Sequence, residues 1–365
     1  MKIKEIVNYL ESVAPLSIQE DYDNSGLIIG DPNDNIESAL ITLDCTEDIV
    51  EEAVQKKCNL IIAHHPIIFK GLKKINGSNY VERTIIKAIK NDIAIYAMHT
   101  NLDNIFNGVN YKIASCLELE NISILKPKKN HLYNLVFYCP KKDASEVRKQ
   151  LFDVGAGSIG SYDHCSFNFT GRGTFKPLHG SNPHVGSIGE LQNKEEECIS
   201  LVFPKYLESE IIKVLKKNHP YEEVAYQLYA LANSYQHIGS GVIGNLSKET
   251  TLIEFLKQLK LKMKTDCIRY TEPKTKKNIY KVAICGGSGS FLLTNSISAG
   301  ADIFISSDFK YHEFLDAENK IVIADIGHYE SEQHTKELIF DMLKEKFPKF
   351  AVQLSKINTN PIKYI

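Results

Sequence analysis

The sequence lacks several features that would place the protein in other classes. Its eight cysteines occur singly and form no C-x-x-C pair, which argues against a zinc ribbon or a redox motif. No apolar run approaches the roughly eighteen residues of a membrane helix, and the N-terminal residues have no continuous apolar core of the signal-peptide kind. Isolated thiols suit a reducing compartment. The sequence therefore predicts a cytoplasmic protein without a membrane partner.

An excess of charge of one sign is also missing. The 43 Lys and Arg residues nearly balance the 45 Asp and Glu residues, so the formal net charge is -2. Affinity for nucleic acid depends on neutralising phosphates with cationic side chains, and nucleic acid is therefore not the expected partner. The pattern G-x-x-x-x-G-K-[ST] of a P-loop does not occur, nor does another recognisable guanine-reading motif.

Alternating strand and helix patterns occupy both ends of the 365-residue chain. Near the N-terminus, apolar periodicity predicts strands at 38–46, 59–65 and 93–100, with helices at 47–58, 80–91 and 108–119. Near the C-terminus it predicts strands at 281–287, 301–308 and 321–328, with helices at 290–300, 310–320 and 331–347. Such βαβ series favour an α/β fold with parallel sheets. Two halves, 1–124 and 236–365, are thus expected to form one discontinuous domain.

The middle of the chain, 125–235, has a different order. It begins with the Pro/Lys-rich stretch "LKPKKN", which is interpreted as a linker. Strands are predicted at 133–140, 161–170, 173–178, 196–204 and 222–231, and helices at 144–155 and 207–218. With the short strand at 173–178 set aside, this is the βαββαβ order of ferredoxin-like domains. The middle segment is therefore expected to be an inserted domain.

Two glycine-rich stretches are candidate phosphate sites. "GAGSIG" at 155–160 matches G-x-G-x-x-G, but it follows a helix pattern and leads into a strand. A dinucleotide site needs the reverse order, so a turn is the better interpretation. "CGGSGSF" at 285–291 does follow a strand and precede a helix. It could bind an anion through backbone N–H groups or serve only as a tight turn.

Polar side chains gather at the carboxyl ends of the predicted strands, where ligands of open α/β sheets bind. One strand ends in His64 and His65, and the next is followed by His99 and Asp103. His328 ends the last strand, and Glu332 lies four residues further along, on the same face of a helix. Imidazole and carboxylate groups ligate zinc, iron, manganese and cobalt. A solvated loop is the alternative for any one of these residues, but together they predict a metal site.

Other residues near these strand ends have less certain roles. His99 could be a ligand, a donor that orients a ligand, or an acid/base group. His312 lies four residues after Asp308, whose alternative role is to cap a helix. Asp44 and the "YDNSGLIIG" turn are expected to line the same crevice. His99 and His312 are the candidates for proton transfer.

Six motifs together resemble one family. "DNSGLIIG", "AHHPIIF", "MHTNLD", "GGSGSF", "SSDFKYHE" and "DIGHYESE", in that order, resemble the Nif-three-like family, also described as GTP cyclohydrolase I type 2 homologues. The resemblance covers the two outer segments. The middle segment is similar to the PII- or CutA-like domain that is inserted in long bacterial members.

The resemblance implies two divalent metal ions per subunit, with the metal unidentified among zinc, iron, manganese and cobalt. Their ligands would be His64, His65, Asp103, His328 and Glu332. His65 and Asp103 would go mainly to one ion and His64 and His328 to the other, with Glu332 bridging. The resemblance also implies a homohexamer and a small-molecule substrate such as a nucleotide, attacked by water.

Two functions follow from these expectations. Two neighbouring divalent ions would lower the pKa of a shared water and polarise the substrate, which favours a metal-dependent hydrolase. The alternative is a metal-binding regulatory or scaffold protein whose inserted domain senses a small ligand and which has no turnover.

Overall fold

The computed structural model describes residues 1–274 and 278–365, and the chain folds into two compact units. One unit contains Met1–Pro127 and His237–Ile365, and the other contains Lys128–Gln236. The boundaries predicted from the sequence lie at 124/125 and 235/236.

The described part of the chain contains fifteen strands. They are β1 (Gly26–Ile29), β2 (Ser38–Thr42), β3 (Leu60–Ala63), β4 (Ala94–Ala97), β5 (Glu120–Lys129), β6 (Leu132–Pro140), β7 (Phe167–Phe175), β8 (Gln192–Pro204), β9 (Tyr226–Leu231), β10 (Ser234–Thr251), β11 (Arg269–Tyr270), β12 (Asn278–Ser288), β13 (Ile303–Ser307), β14 (Val322–Asp325) and β15 (Ala351–Leu354).

The same residues form eleven α-helices. They are α1 (Ile3–Val13), α2 (Glu47–Gln55), α3 (Tyr80–Lys90), α4 (Thr100–Asp103), α5 (Val109–Cys116), α6 (Lys141–Asp153), α7 (Glu208–Asn218), α8 (Leu252–Lys262), α9 (Leu293–Ser298), α10 (His328–Glu332) and α11 (Thr335–Lys346). Short 3₁₀ helices occur at Leu16–Ile18, Lys205–Leu207, Ser290–Leu292 and Tyr311–Ala317. The helix predicted at 310–320 is therefore a 3₁₀ helix, and the one predicted at 331–347 is interrupted before α11.

Two mixed sheets build the first unit. One has the order β1-β4-β3-β2-β15, in which β1 is antiparallel and the remaining pairs are parallel. The other has the order β11-β14-β13-β12-β10-β5, in which β12–β13 and β13–β14 are parallel pairs and β11–β14 and β10–β12 are antiparallel pairs. The predicted α/β class with parallel βαβ strands is confirmed at the centre of each sheet. The prediction of parallel sheets was incomplete, because antiparallel strands lie at the edges of both sheets.

The core of this unit lies on both sides of the first sheet. Leu40, Ile61 and Ile95 pack with residues of α2 and α3 on one side. On the other side, Ile41, Ile62 and Tyr96 belong to a larger core shared with β12, β13 and β14. All residues of β2, β3 and β4 are buried, which explains their continuous apolar sequence.

The prediction for "LKPKKN" was correct only in part. The division between the two units falls within it, between Pro127 and Lys128, but most of the stretch belongs to β5 and is not a linker. Its proline is compatible with a strand because β5 lies at the edge of its sheet. The C-terminal residues also add β15 beside β2, a long-range pairing for which the short sequence after α11 gives little signal.

The second unit is a four-stranded antiparallel sheet with two helices. Its elements follow the order β6-α6-β7-β8-α7-β9, and its strand order is β7-β8-β6-β9. This is the βαββαβ order predicted for the middle segment. The two strands predicted at 161–170 and 173–178 are one strand, β7, which continues through Gly171. Helices α6 and α7 cover one face of this sheet through a separate apolar core.

The structure also describes the cysteines and the length of the helices. All eight cysteines are free thiols, and five of them are buried. Within the described residues, no helix combines the length and apolar character that crossing a membrane requires.

Candidate metal centre

His64 and His65 follow β3 directly, and both rings face the carboxylate of Glu332. Strand β3 ends at Ala63, so His64 and His65 are free of the alternation that would direct them to opposite faces. The backbone N–H groups of both residues donate to the carbonyl oxygen of Leu43, at 3.1 Å and 2.9 Å. Their ring centroids are 4.9 Å apart. The turn after the strand therefore brings adjacent histidines to one site.

His64 is held in a defined tautomer. Its Nδ1 lies 2.6 Å from the carbonyl oxygen of Met98. Because a carbonyl only accepts, Nδ1 carries the proton and Nε2 carries the lone pair. The ring is fully buried, and its Nε2 has no hydrogen-bond partner among the described residues.

A second unpartnered atom lies beside this nitrogen. Oδ1 of Asp103 is buried and, within the described residues, also lacks a hydrogen-bond partner; it lies 3.7 Å from Nε2 of His64. Oε1 of Glu332 lies 3.8 Å from the same nitrogen. An unsatisfied buried acceptor is costly and uncommon. A nitrogen lone pair and two carboxylates that converge without protons between them fit a cation.

The other two histidines contact the second oxygen of Glu332. Nε2 of His65 lies 2.9 Å from Oε2, and Nε2 of His328 lies 3.2 Å from it. His328 begins α10 and Glu332 ends it, so one helical turn aligns the pair as its spacing predicts. In this arrangement His64 faces Oε1 and lies beside Asp103, whereas His65 and His328 face Oε2. The family resemblance implies another grouping, with His65 and Asp103 on one ion.

Acceptors behind the rings fix their orientation. Nδ1 of His65 lies 2.7 Å from Asp44, and Nδ1 of His328 lies 2.6 Å from Asp308. A carboxylate behind an imidazole directs Nε2 inward and raises its basicity, as in the second layer of many metal sites. Asp44 therefore does more than line the crevice, and Asp308 contacts His328 instead of acting only as a helix cap.

Burial and close contacts between charged groups shift the pKa values of this cluster. Burial and the charge of Glu332 raise the pKa of Asp103 to about 7. Burial alone would raise the pKa of Glu332, but the contacts with His328 and His65 hold it well below its usual value. Burial alone would lower the pKa of His65, yet Asp44 and Glu332 raise it to about 10. Protons on His65 and His328 thus balance the carboxylates, a balance that a divalent cation would also provide.

His99 lies beside this cluster with a similar arrangement. Its ring centroid is 5.4 Å from that of His64 and 5.5 Å from that of His65. Its Nδ1 lies 2.7 Å from Asp23, which also accepts from the backbone and hydroxyl of Thr100. Burial opposes these hydrogen bonds, but they lower the pKa of Asp23. The carboxylate of Asp23 is therefore ionised and orients His99.

His312 is placed differently. It is exposed on the 3₁₀ helix Tyr311–Ala317, and its ring contacts Tyr311, with centroids 5.3 Å apart. Within the described residues, no hydrogen bond, ion pair or ring contact joins it to the histidine and carboxylate cluster. Its role in proton transfer stays a prediction from the sequence.

The two glycine-rich stretches have different structural contexts. Residues 155–160 form a turn after α6. In the other stretch, N–H of Gly286 donates to Asn110 and N–H of Gly287 donates to Ser331, both at 2.9 Å. These two groups are therefore engaged within the protein, which favours the tight-turn alternative for "CGGSGSF". Gly287 has a φ of +62°, and a Cβ there would collide with Oε1 of Glu332.

We expect Gly287→Ala to disturb the site as well as the backbone. Gly300→Ala is a matched control, because Gly300 has a φ of +72° with open space around its Cβ position. The control should lower the free energy of unfolding by about 1 kcal/mol and leave metal affinity unchanged. Gly287→Ala should cost more and weaken metal binding about tenfold or more, because it displaces Glu332. Thermal unfolding and metal titration of both variants test this, and equal metal affinities would contradict it.

A second prediction concerns the acceptor behind His328. We expect Asp308→Asn to weaken metal binding about 10-fold to 100-fold, because the neutral amide orients the imidazole less firmly. Asp316→Asn, an exposed substitution on the nearby 3₁₀ helix, should leave the affinity unchanged. Competition with a chromogenic chelator measures both, and an unaltered affinity in Asp308→Asn would show that this pair has no orienting role.

Some features of the site had no sequence signal. The carbonyl of Met98 is a backbone group, and Asp23 lies 76 residues before His99. Asp23 does fall in the "YDNSGLIIG" turn that was expected to line the crevice. Only the short distance between Asp23 and His99 in the folded chain identifies the two as partners.

Known proteins are similar to this chain over nearly its whole length. The family model described as Duf34/NIF3 (NGG1p interacting factor 3) matches residues 1–361. Proteins named "GTP cyclohydrolase 1 type 2 homolog" from Halalkalibacterium halodurans and Bacillus subtilis are each 38% identical, and each alignment covers 99% of this chain and 98% of the relative. The crystal structure of a Bacillus cereus protein related to NIF3 is similar with a TM-score of 0.88 and 37% identity, covering 100% of this chain and 99% of that one.

Proposed function

Because this chain belongs to the Duf34/NIF3 family, and because its strand ends bring together a compact donor set, we propose that it is a metal-dependent hydrolase. The proposed centre holds two divalent ions per subunit. The proposed ligands are His64, His65, Asp103, His328 and Glu332. The proposed substrate is a small molecule, with nucleotides as the first class to test.

One observation carries this proposal. Nε2 of His64 and Oδ1 of Asp103 are buried, 3.7 Å apart and without hydrogen-bond partners among the described residues. A structural ion pair or hydrogen bond would have used these atoms, whereas ligands of a metal ion must keep them free of protons. The nearby group His64, His65 and Glu332 offers ligand atoms that all lie within 4.8 Å of one another, which further supports a shared cation.

The chemistry proposed for the site divides between the ions and the chain. When bound, two divalent ions would supply an activated water at neutral pH and polarise the substrate. His99 is the first candidate for moving protons, because Asp23 fixes its Nδ1 and leaves Nε2 for the substrate side. Asp44 and Asp308 hold His65 and His328 in place.

Further parts of the proposal come from the family. The name "GTP cyclohydrolase 1 type 2 homolog" of the relatives supports testing GTP first, with attack of water on the purine ring as the reaction class. Zinc, iron, manganese and cobalt all suit imidazole and carboxylate ligands. We also propose a cytoplasmic homohexamer, and an inserted unit of the PII/CutA-like kind, for which the βαββαβ order is the support.

The experiment is a metal-by-substrate assay. Protein loaded separately with zinc, iron, manganese or cobalt is incubated with GTP, other nucleotides and phosphoesters. Turnover that is lost in His65→Ala and in His99→Ala, with the oligomer intact by light scattering, supports the hydrolase. His65→Ala should also lose metal, whereas His99→Ala should retain it, which separates a ligand from a proton-transfer group.

The second candidate is a metal-binding regulatory or scaffold protein without turnover. A cavity within the Lys128–Gln236 unit favours it, because such a cavity suits a small ligand. Failure of every metal and substrate combination, in protein that contains two ions per chain, would favour this candidate over the hydrolase.

A further inference from the structure

A cavity of about 560 Å³ lies within the second unit, on the sheet face that its helices leave uncovered. In the register of this sheet, Tyr138 and Phe169 both lie opposite Cys198, and Gly171 lies opposite Glu196. These residues line the cavity floor. The segment between β7 and β8 contributes Pro177, Ser181, Pro183, His184 and Val185 to its lining. The volume is in the range of small-molecule sites.

Two glycines in β7 create the space. Strand alternation turns Phe169, Gly171, Gly173 and Phe175 toward the same face. A Cβ at Gly171 would meet nothing within 4 Å, so its position is an open part of the floor. A Cβ at Gly173 would collide with Oε2 of Glu196. The first glycine leaves room for a ligand, and the second lets the Glu196 side chain lie across the strand.

Glu196 brings a carboxylate into this cavity. The residue is only 8% exposed, and its Oε1 accepts a hydrogen bond of 2.7 Å from the hydroxyl of Tyr221. Among the described residues, no hydrogen-bond donor contacts Oε2. Glu222 and Glu223 add negative charge among the exposed lining residues. Strand alternation directs the one lining arginine, Arg172, to the opposite face.

Aromatic rings surround this carboxylate. Tyr138, Phe169, Phe175 and Tyr221 all line the cavity, and the rings of Phe175 and Tyr221 are 6.0 Å apart. Tyr221 is held by its backbone N–H, which donates to Nδ1 of His219 at 3.1 Å. Nε2 of His219 in turn donates to the carbonyl of Tyr138 at 2.8 Å. Aromatic faces attract flat rings and cations.

We propose that this cavity binds a flat aromatic molecule with a cationic, multiply N–H-donating head group, such as an amidine or a protonated amino-heterocycle. The carboxylate of Glu196 accepts from the head group, and the aromatic side chains enclose the ring. All of the lining residues belong to the Lys128–Gln236 unit, so this proposal does not rest on the proposed hydrolase function. A carboxylate-bearing ligand is excluded, because it would meet Glu196 with like charge.

Three probes of one shape test the charge preference in the full-length protein. Benzamidine, benzamide and benzoate share a ring and differ in carrying a cationic, a neutral or an anionic head group. Binding is measured by saturation-transfer NMR and by titration calorimetry. We expect benzamidine to bind at least about tenfold more tightly than benzamide, because charge-assisted hydrogen bonds exceed neutral ones, and benzoate not to bind.

Matched variants locate the probe. Glu196→Gln should weaken benzamidine binding at least about tenfold, whereas Glu195→Gln, on the opposite face, should not change it. Gly171→Val should block binding by filling the floor, whereas Thr170→Val places the same side chain on the other face and should leave binding intact. Thermal unfolding establishes that each variant folds.

Several results would overturn the proposal. They are absence of benzamidine binding to the unaltered protein, benzoate binding as tightly as benzamidine, or undiminished binding in folded Glu196→Gln or Gly171→Val. Metal content measured on the same samples keeps this outcome distinct from failure of the hydrolase proposal.

Discussion

Glu332→Gln is expected to remove bound metal almost completely while the protein remains folded. The side chain keeps its volume but loses the charge that both oxygens present to the three histidines, of which His65 and His328 are the nearest. Because one carboxylate faces both halves of the cluster, its loss affects every proposed ligand. Metal affinity should fall by at least about 100-fold, and turnover should be lost with it.

The measurement is metal content after desalting, by mass spectrometry, together with calorimetric titration of zinc and manganese. Glu337→Gln is the matched control. Glu337 also pairs with a histidine, His334, at 2.8 Å, but on α11 and outside the cluster. The control should retain its metal. Two ions per chain in Glu332→Gln would contradict the assignment of Glu332 as the shared ligand.

Deletion of residues 351–365 is expected to have the largest effect on stability. Strand β15 is paired along β2, and Ser355 donates from its backbone to the carbonyl of Ile41 at 2.8 Å. Beyond the strand, the hydroxyl of Ser355 and the N–H of Lys356 both donate to the buried carboxylate of Glu52. Losing the apolar contacts and these donors together should lower the free energy of unfolding by about 4 kcal/mol or more.

This deletion should also weaken the metal centre. The hydroxyl of Thr359 donates to Oδ2 of Asp44 at 2.5 Å, while Oδ1 of Asp44 faces His65. Deletion of 361–365, which are exposed, is the control and should change neither stability nor metal affinity. Thermal unfolding should show a decrease of about 10 °C for the longer deletion. An unchanged midpoint would mean that β15 contributes little to the first sheet.

Local sequence pattern predicted the parallel strands and the helices between them, but not β10, which lies between β12 and β5. Strands β2, β3 and β4 are short, apolar and separated by amphipathic helices, so their identity follows from periodicity and length alone. The same pattern predicted which polar residues follow the strands. The edge strands β1, β11 and β15 were missed because each is stabilised by a partner distant in the sequence, and β5 was misinterpreted because its Lys and Pro residues suggested a loop.

The sequence alone determined the position of His64, His65, Asp103, His328 and Glu332 at or after strand ends, since strand boundaries and helical spacing depend on neighbouring residues. The tertiary structure decided which atoms meet. It gave His64 its tautomer through Met98, His65 and His328 their acceptors through Asp44 and Asp308, and His99 its partner Asp23. It also opened a cavity above Gly171. Such contacts join residues far apart in the chain, so no local pattern encodes them.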